Sequence, residues 1–219
     1  MTRSPPASLR RRGPTREPKQ RFTIICEGQN TEPAYFRALQ ATIQDARIEL
    51  VIAHVGSMAM TIAQKAVALT KQMKKDRRRR GKTDSYEEKD TIWAVFDRDE
   101  QPRFDEAVGL CTAHGVGVAR SNPCFELWLI LHKADFDQPG TSKYVQRHLQ
   151  RLCPEYDASG DKKPDCISLI SQIEAAEHRA ERQMGMREDE GKPFGPPSTT
   201  MVHLTRAIRL AAASARQAG

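Results

Sequence analysis

Thr91-Ile92-Trp93-Ala94-Val95-Phe96-Asp97-Arg98-Asp99 is the stretch that decides the fold. Its first six residues are β-branched, aromatic or small and apolar, the composition of a strand. The run breaks into charge at Asp97, so a strand is expected to end there and a loop to begin. Working downstream, Phe104 to His114 reads as a helix and Gly115-Val116-Gly117-Val118-Ala119 as another strand. Ser121-Asn122-Pro123 reads as the opening of an apolar helix that continues through His132.

Upstream, Phe22 to Cys26 is β-prone and gives way to Glu27-Gly28-Gln29-Asn30, again a strand running into a loop. A helix should follow to about residue 44, capped by Asn30 or Thr31, with Pro33 in its first turn and Ala34, Phe36, Leu39 and Ile43 along one face. Ile48 to His54 predicts a strand, and Met58 to about Met73 a helix. Strands alternating with helices imply an α/β fold, a mainly parallel sheet covered by helices. From Thr141 onward only helices are predicted, at about 141–151, 164–184 and 198–215, separated by Pro and Gly clusters. The expected organisation is therefore a basic arm at 1–21 followed by one domain at 22–215. That domain has an α/β core at about 22–135 and a helical C-terminal part at about 141–215.

Composition narrows the function. The five cysteines are odd in number and include no C-x-x-C pair, which argues against a structural zinc site and a disulfide framework and fits a reducing cytosol. No apolar run approaches the roughly 20 residues that cross a bilayer, so a cytoplasmic protein without a membrane partner is expected. Six of the seven net positive charges fall in residues 1–21, where seven Lys or Arg stand against Glu17 and four prolines oppose helix formation. Such an arm is expected to be disordered, serving either to attract phosphate or simply to solubilise. A second basic run ends in Arg77, Arg78, Arg79 and Arg80. Its ordinary reading is a solvated helix end, and its functional reading is a nucleic-acid contact.

Ligands of an open parallel sheet bind beyond the carboxyl ends of its strands. Glu27 stands at one such exit, Asp97 and Asp99 at another, and the two-residue spacing projects both aspartates to one side if the strand geometry persists. Converging carboxylates repel, and a hard cation such as Mg²⁺ is the usual reason to tolerate them. Each acidic residue also has a plain reading, as a polar start to a loop. Glu126 lies among apolar residues and either needs a partner or faces water on a polar stripe with Asn122 and Lys133. The Asn122-Pro123 step, read as a helix start, offers backbone N–H groups to a phosphate. His132 reads best as an ordinary core or surface histidine. There is no P-loop, so ATP hydrolysis would need another protein. The aromatic residues are too scattered in sequence to suggest a base-stacking platform.

Several blocks together resemble the RloB-like family. They are Ile25-Cys26-Glu27-Gly28 with Thr31-Glu32-Pro33-Ala34-Tyr35-Phe36; Val95-Phe96-Asp97-Arg98-Asp99-Glu100; Ser121-Asn122-Pro123-Cys124-Phe125-Glu126-Leu127-Trp128 with His132; and Pro197-Ser198-Thr199-Thr200. The resemblance runs from about residue 22 to 210, and here Pro196 replaces an expected Asn. It implies a TOPRIM-like fold and a bacterial phage-defence or restriction-associated protein, often beside an ATPase partner. In TOPRIM proteins the glutamate after the first strand acts as general acid or base or as a metal contact, and the D-x-D motif holds metal. Glu27, Asp97 and Asp99 match those positions, while Glu32, Glu126 and Asn122 match family motifs without an assigned role. The expected function is a nuclease dependent on Mg²⁺ or Mn²⁺, an abortive-infection effector acting on DNA or RNA. The alternatives are a non-catalytic module that binds nucleic acid or a partner, and a nucleotidyl transferase.

Overall fold

The computed structural model describes residues 19–43, 47–54, 58–81, 87–99, 101–157 and 164–217. Residues 1–18 of the basic arm and Glu100 lie outside the described residues, and the arm expected to run to 21 gives way earlier, since Gln20 and Arg21 already pair in the first strand. Four strands run parallel: β1 (Gln20–Cys26), β2 (Ile48–His54), β3 (Thr91–Asp97) and β4 (Gly117–Asn122). A two-residue β5 (Ser198–Thr199) pairs antiparallel with β4, and the sheet order is β2-β1-β3-β4-β5.

Side chains alternate between two cores, as buried parallel strands require. Ile24, Cys26, Val95 and Ala119 face one core. It is shared with α1 (Thr31–Ile43), α4 (Glu126–Lys133), α5 (Ser142–Leu152), α6 (Cys166–Ile170), α7 (Ile173–Asp189) and α8 (Met201–Gln217). Ile25, Ile92, Ala94 and Phe96 face the other, under α2 (Ala59–Arg80) and α3 (Phe104–Ala113). The chain leaves β1 over the first face to reach β2 and leaves β3 over the second face to reach β4. The neighbouring strands β1 and β3 thus send their connections opposite ways, and a crevice opens between their carboxyl ends.

The parallel sheet flanked by helices, with a helical C-terminal part, is the architecture expected. Four details differ. The helix expected to end near Met73 continues to Arg80, because no Gly or Pro interrupts it before Gly81, whose left-handed φ of 69° closes it. Four arginines in its last turn complement the helix dipole. The fourth strand lies at Gly117–Asn122, so Ser121-Asn122-Pro123 does not open a helix, and α4 begins at Glu126. The residue before a proline is driven out of the α region, and Asn122 finds its extended partner in Ser198 of β5. That short strand also interrupts a region expected to be purely helical. The helix expected at 164–184 is two, α6 and α7.

The helix α4 is apolar on nearly all sides because it is central. Leu127, Trp128, Leu129, Ile130 and Leu131 are all buried between the sheet and the C-terminal helices. It delivers its first residue, Glu126, to the crevice end of the sheet.

Candidate functional site

Glu27 and Asp97 leave adjacent strands, and the first contact between the two exits is direct. The Glu27 N–H continues the ladder to the Val95 carbonyl at 3.1 Å. The Glu27 carboxylate accepts the Asp97 N–H at 3.1 Å through Oε2 and the Gln101 amide at 2.7 Å through Oε1. Gln101 in turn accepts the Ala59 N–H at 2.7 Å, so one carboxylate ties β1, the β3 exit and the start of α2 together. Burial lifts the Glu27 carboxyl to about 7. The two hydrogen bonds oppose the rise, and the charges of Glu32 and Asp99 add to it.

Asp97 shares the alternation of Val95 and turns toward the α4 side. Its carboxyl is pushed well above the usual range, first by burial and then by the charges of Glu32, Glu126 and Glu27, while the Phe125 N–H holds the charged form. Glu126 is 4% exposed. It accepts the Tyr156 hydroxyl at 2.7 Å and the Gln146 amide at 3.4 Å, and the Cys124 thiol also bonds to it. The reading of Glu126 as one of a water-facing stripe is therefore corrected: it is a buried carboxylate beside Asp97. Glu32 is buried too, and its Oε1 accepts the Gly28 N–H at 2.8 Å. A Cβ on Gly28 would collide with that carboxylate, so only glycine lets Glu32 fold back on the loop.

Asp99 takes a different course from Asp97. Strand geometry ends at Asp97, and Asp99 adopts a φ of 28°, donates its N–H to the Pro123 carbonyl at 3.1 Å and accepts the Ser142 hydroxyl. The extended spacing needed to bring both aspartates to one side does not persist. Among the described residues, no three His, Cys, Asp or Glu side chains are disposed to hold one ion. The donor chemistry nonetheless fits a hard cation, since Asp97 is crowded by three carboxylates.

Asn122 is a β4 residue whose amide donates to the Phe194 carbonyl at 2.8 Å, and Ser121 bonds to Thr199. Neither caps a helix, so the expected phosphate cradle at Asn122-Pro123 is not formed. Arg77, Arg78, Arg79 and Arg80 lie at the opposite, amino edge of the sheet. There Arg77 bonds to the Glu87 carbonyl and lies 3.7 Å from Asp90, and Arg80 pairs with Glu87 at 3.0 Å. Arg77 and Arg80 border a cleft of about 470 Å³ in which Arg21 also meets Glu49. The structure does not bring these arginines to the carboxylates.

His132 is a core residue, as its plain reading had it. Its Nδ1 donates to the Trp128 carbonyl at 2.8 Å and its Nε2 accepts the Tyr35 hydroxyl at 3.1 Å. Burial lowers its pKa to about 4. Missed in the sequence were Gln101, Gln146 and Tyr156, which position the carboxylates from segments that carry no motif, and the arginines Arg98 and Arg120 near the β3 exit.

Among the described residues no helix is long and apolar enough to cross a membrane. A family model described as RloB-like protein matches residues 22–208. No curated protein and no solved structure matches the chain.

Proposed function

The chain belongs to the RloB-like family, and from that premise we propose that the crevice between β1 and β3 is the phosphodiester-cleaving site of a cytoplasmic, metal-dependent nuclease. One observation carries the reading. Asp97 is pressed by Glu32, Glu126 and Glu27 at the switch point of the sheet, which raises its carboxyl well above the usual range. Mg²⁺ or Mn²⁺ taken up at Asp97 and Glu27, with Asp99 joining only by leaving Ser142, would polarise a phosphate oxygen and acidify a water. Glu32 and Glu126 add negative charge behind that set. A Glu27 carboxyl near 7 is suited to taking and returning a proton at neutral pH. Tyr156 and Gln146 hold Glu126, and Gly28 holds Glu32, so the charge is fixed by packing rather than by flexible side chains. The same proposal sets this activity in phage defence of the abortive-infection type, with a separate ATPase partner as the energy-dependent component.

A second reading is a non-catalytic module that binds nucleic acid or a partner. It is favoured by the use of both Glu27 oxygens in bridging the strand exits and by the attachment of Asp99 to Ser142. Incubation of the protein with single- and double-stranded RNA and DNA, in Mg²⁺, Mn²⁺ or EDTA, separates the two. The nuclease reading expects metal-dependent cleavage that falls by orders of magnitude in Asp97→Asn and substantially in Glu126→Gln. Binding without cleavage in any metal, with and without the ATPase, supports the module instead.

A further inference from the structure

Two arginines and two phenylalanines that are far apart in the sequence meet at the carboxyl edge of the sheet, on its α3 face. The Arg98 guanidinium lies 4.8 Å from the Phe104 ring, and that of Arg120 lies 5.9 Å from Phe104 and 3.9 Å from Phe194. The two rings are nearly parallel, at 8° with centroids 6.1 Å apart. Arg98 stands between Asp97 and Asp99 and thus at the mouth of the crevice. Arg120 pairs with Phe96 in the β3–β4 register, one step before Asp97 meets Ser121. The cluster and the carboxylates therefore share the carboxyl edge of the sheet, with Arg120 following Phe96 to the α3 face and Asp97 turning to the α4 face.

Charge in this cluster is not balanced. Arg98 pairs with Asp105 at 2.8 Å, but that carboxylate is 77% exposed. Arg120 is half-buried, and among the described residues no carboxylate comes within ion-pair distance of it and no acceptor takes its guanidinium hydrogens. Burial and the neighbouring Arg98 work against its charge, and the Asp105 carboxylate that pairs with Arg98 partly offsets them. Other sheltered arginines are matched: Arg77 to Asp90, Arg187 to Asp137 and Glu190, Arg209 to Glu177. Stacking occupies the face of a guanidinium and leaves its in-plane N–H donors free, the arrangement that suits a phosphate.

The scaffold holds this arrangement in place. The Arg120 backbone exchanges hydrogen bonds with Thr200, at 3.0 Å to its hydroxyl and 2.9 Å from its N–H. Phe194 has a left-handed φ of 63°, unusual for an aromatic residue, and its carbonyl is held by Asn122. Asn122 is thus a positioning residue for the ring that carries Arg120, which accounts for a polar side chain at the end of β4.

We propose that Arg98 and Arg120, stacked on Phe104 and Phe194, form a phosphate clamp that binds the backbone of a nucleic-acid strand next to the carboxylate crevice. This rests on the reading of that crevice as a phosphodiester site. The clamp puts positive charge at the carboxyl edge of the sheet, which Arg77 to Arg80, at the far edge, do not reach. It contacts phosphate rather than base, so it contributes affinity without sequence preference.

The test is binding of fluorescein-labelled 20-mers, single-stranded and duplex, to the full chain, followed by anisotropy at several salt concentrations in EDTA and in Mg²⁺. Arg120→Gln and Arg98→Gln are each expected to weaken binding about tenfold and to reduce the salt slope by roughly one. Arg120→Lys should recover part of the loss, and Lys65→Gln, on the exposed side of α2, should change nothing. Melting temperatures taken in parallel show whether a variant is folded, and Arg120→Lys serves if Arg120→Gln is not. Inorganic phosphate that competes only at millimolar levels is expected; competition by phosphate as strong as by oligonucleotide would make the site a small-anion site and overturn the proposal. Wild-type-like affinity and salt slope in folded Arg98 and Arg120 variants, or no binding by the wild type in either buffer, overturns it as well. Because affinity in EDTA is read without turnover, loss of binding in these variants together with a wild type that never cleaves in metal removes the nuclease reading and keeps the clamp. Cleavage by the wild type with unaltered binding in the variants does the reverse.

Discussion

Replacing Glu27 by Gln should change how the stability of the metal-free protein depends on pH. The Glu27 carboxyl rises from an ordinary 4.5 to about 7 on folding, mainly through burial. Between those values the folded protein holds a proton that the unfolded chain releases. The stability this contributes is complete below 4.5 and is lost as pH rises through about 7. At about 1.4 kcal/mol per pH unit the window is worth at most roughly 3 kcal/mol, and the partial exposure of Glu27 reduces this to about 1–2 kcal/mol. Gln does not titrate. Its amide can replace only one of the two acceptors that serve the Asp97 N–H and Gln101, a defect of about 1 kcal/mol at every pH. The variant should therefore be equal to or slightly less stable than wild type at pH 5 and gain on it by about 1–2 kcal/mol between pH 5 and 8. For a domain of this size that is roughly 3–6 °C in the difference of melting temperatures. Urea unfolding and thermal melts in EDTA at pH 5, 6, 7 and 8 read the difference, and the constant hydrogen-bond defect cancels from its slope. A flat difference, or one of opposite sign, would show that Glu27 is not held protonated by its surroundings. Adding Mg²⁺ at pH 8 should stabilise wild type more than the variant, and equal stabilisation of both would remove Glu27 from the cation's partners.

Three further outcomes follow from other residues. His132 has a folded pKa near 4 against an ordinary 6.5, so wild type should lose roughly 3 kcal/mol as pH falls from 6.5 to 4, a loss absent from His132→Gln; parallel unfolding curves for the two proteins would contradict the buried neutral imidazole. Glu177 is buried in α7 and meets Arg209 at 2.7 Å and the Thr205 hydroxyl at 3.0 Å from α8. Glu177→Ala should therefore cost about 2 kcal/mol in urea unfolding, at the low end for a broken buried pair because its arginines keep some access to water. Gly28→Ala should displace the Glu32 carboxylate from the loop, lowering metal-dependent cleavage at least tenfold while moving the melting temperature by only a few degrees; full activity in the alanine variant would place Glu32 outside the working site.

Local sequence carried the alternation of strands and helices because each element's periodicity and its Gly or Pro boundaries are written within a few residues. That is why β2 was legible at its observed limits and why Glu27 and Asp97 could be placed at strand exits. Burial is a different matter, since it depends on what packs from elsewhere. Glu126 looks the same in sequence whether it faces water or lies under Tyr156, 30 residues away. Asn122-Pro123 reads as a helix start until Ser198, far along the chain, supplies a strand partner. The two aspartates of D-x-D were separated by a turn at Asp99 whose φ of 28° no local rule anticipates.

The same limit governs charge. The sequence by itself determined an α/β chain of the RloB-like family, with acidic residues at the ends of two strands and a dense basic run at the end of a helix. Only the tertiary structure decided that β1 and β3 are neighbours, so that Glu32 and Glu126 join Glu27 around Asp97. It also decided that α2 carries its arginines to the far edge of the sheet, and that Arg98 and Arg120 gather at the carboxyl edge on two phenylalanines 90 residues apart. Periodicity is a property of neighbours in sequence, whereas electrostatic crowding and stacking act over a few ångströms of space between segments that only the folded chain brings together.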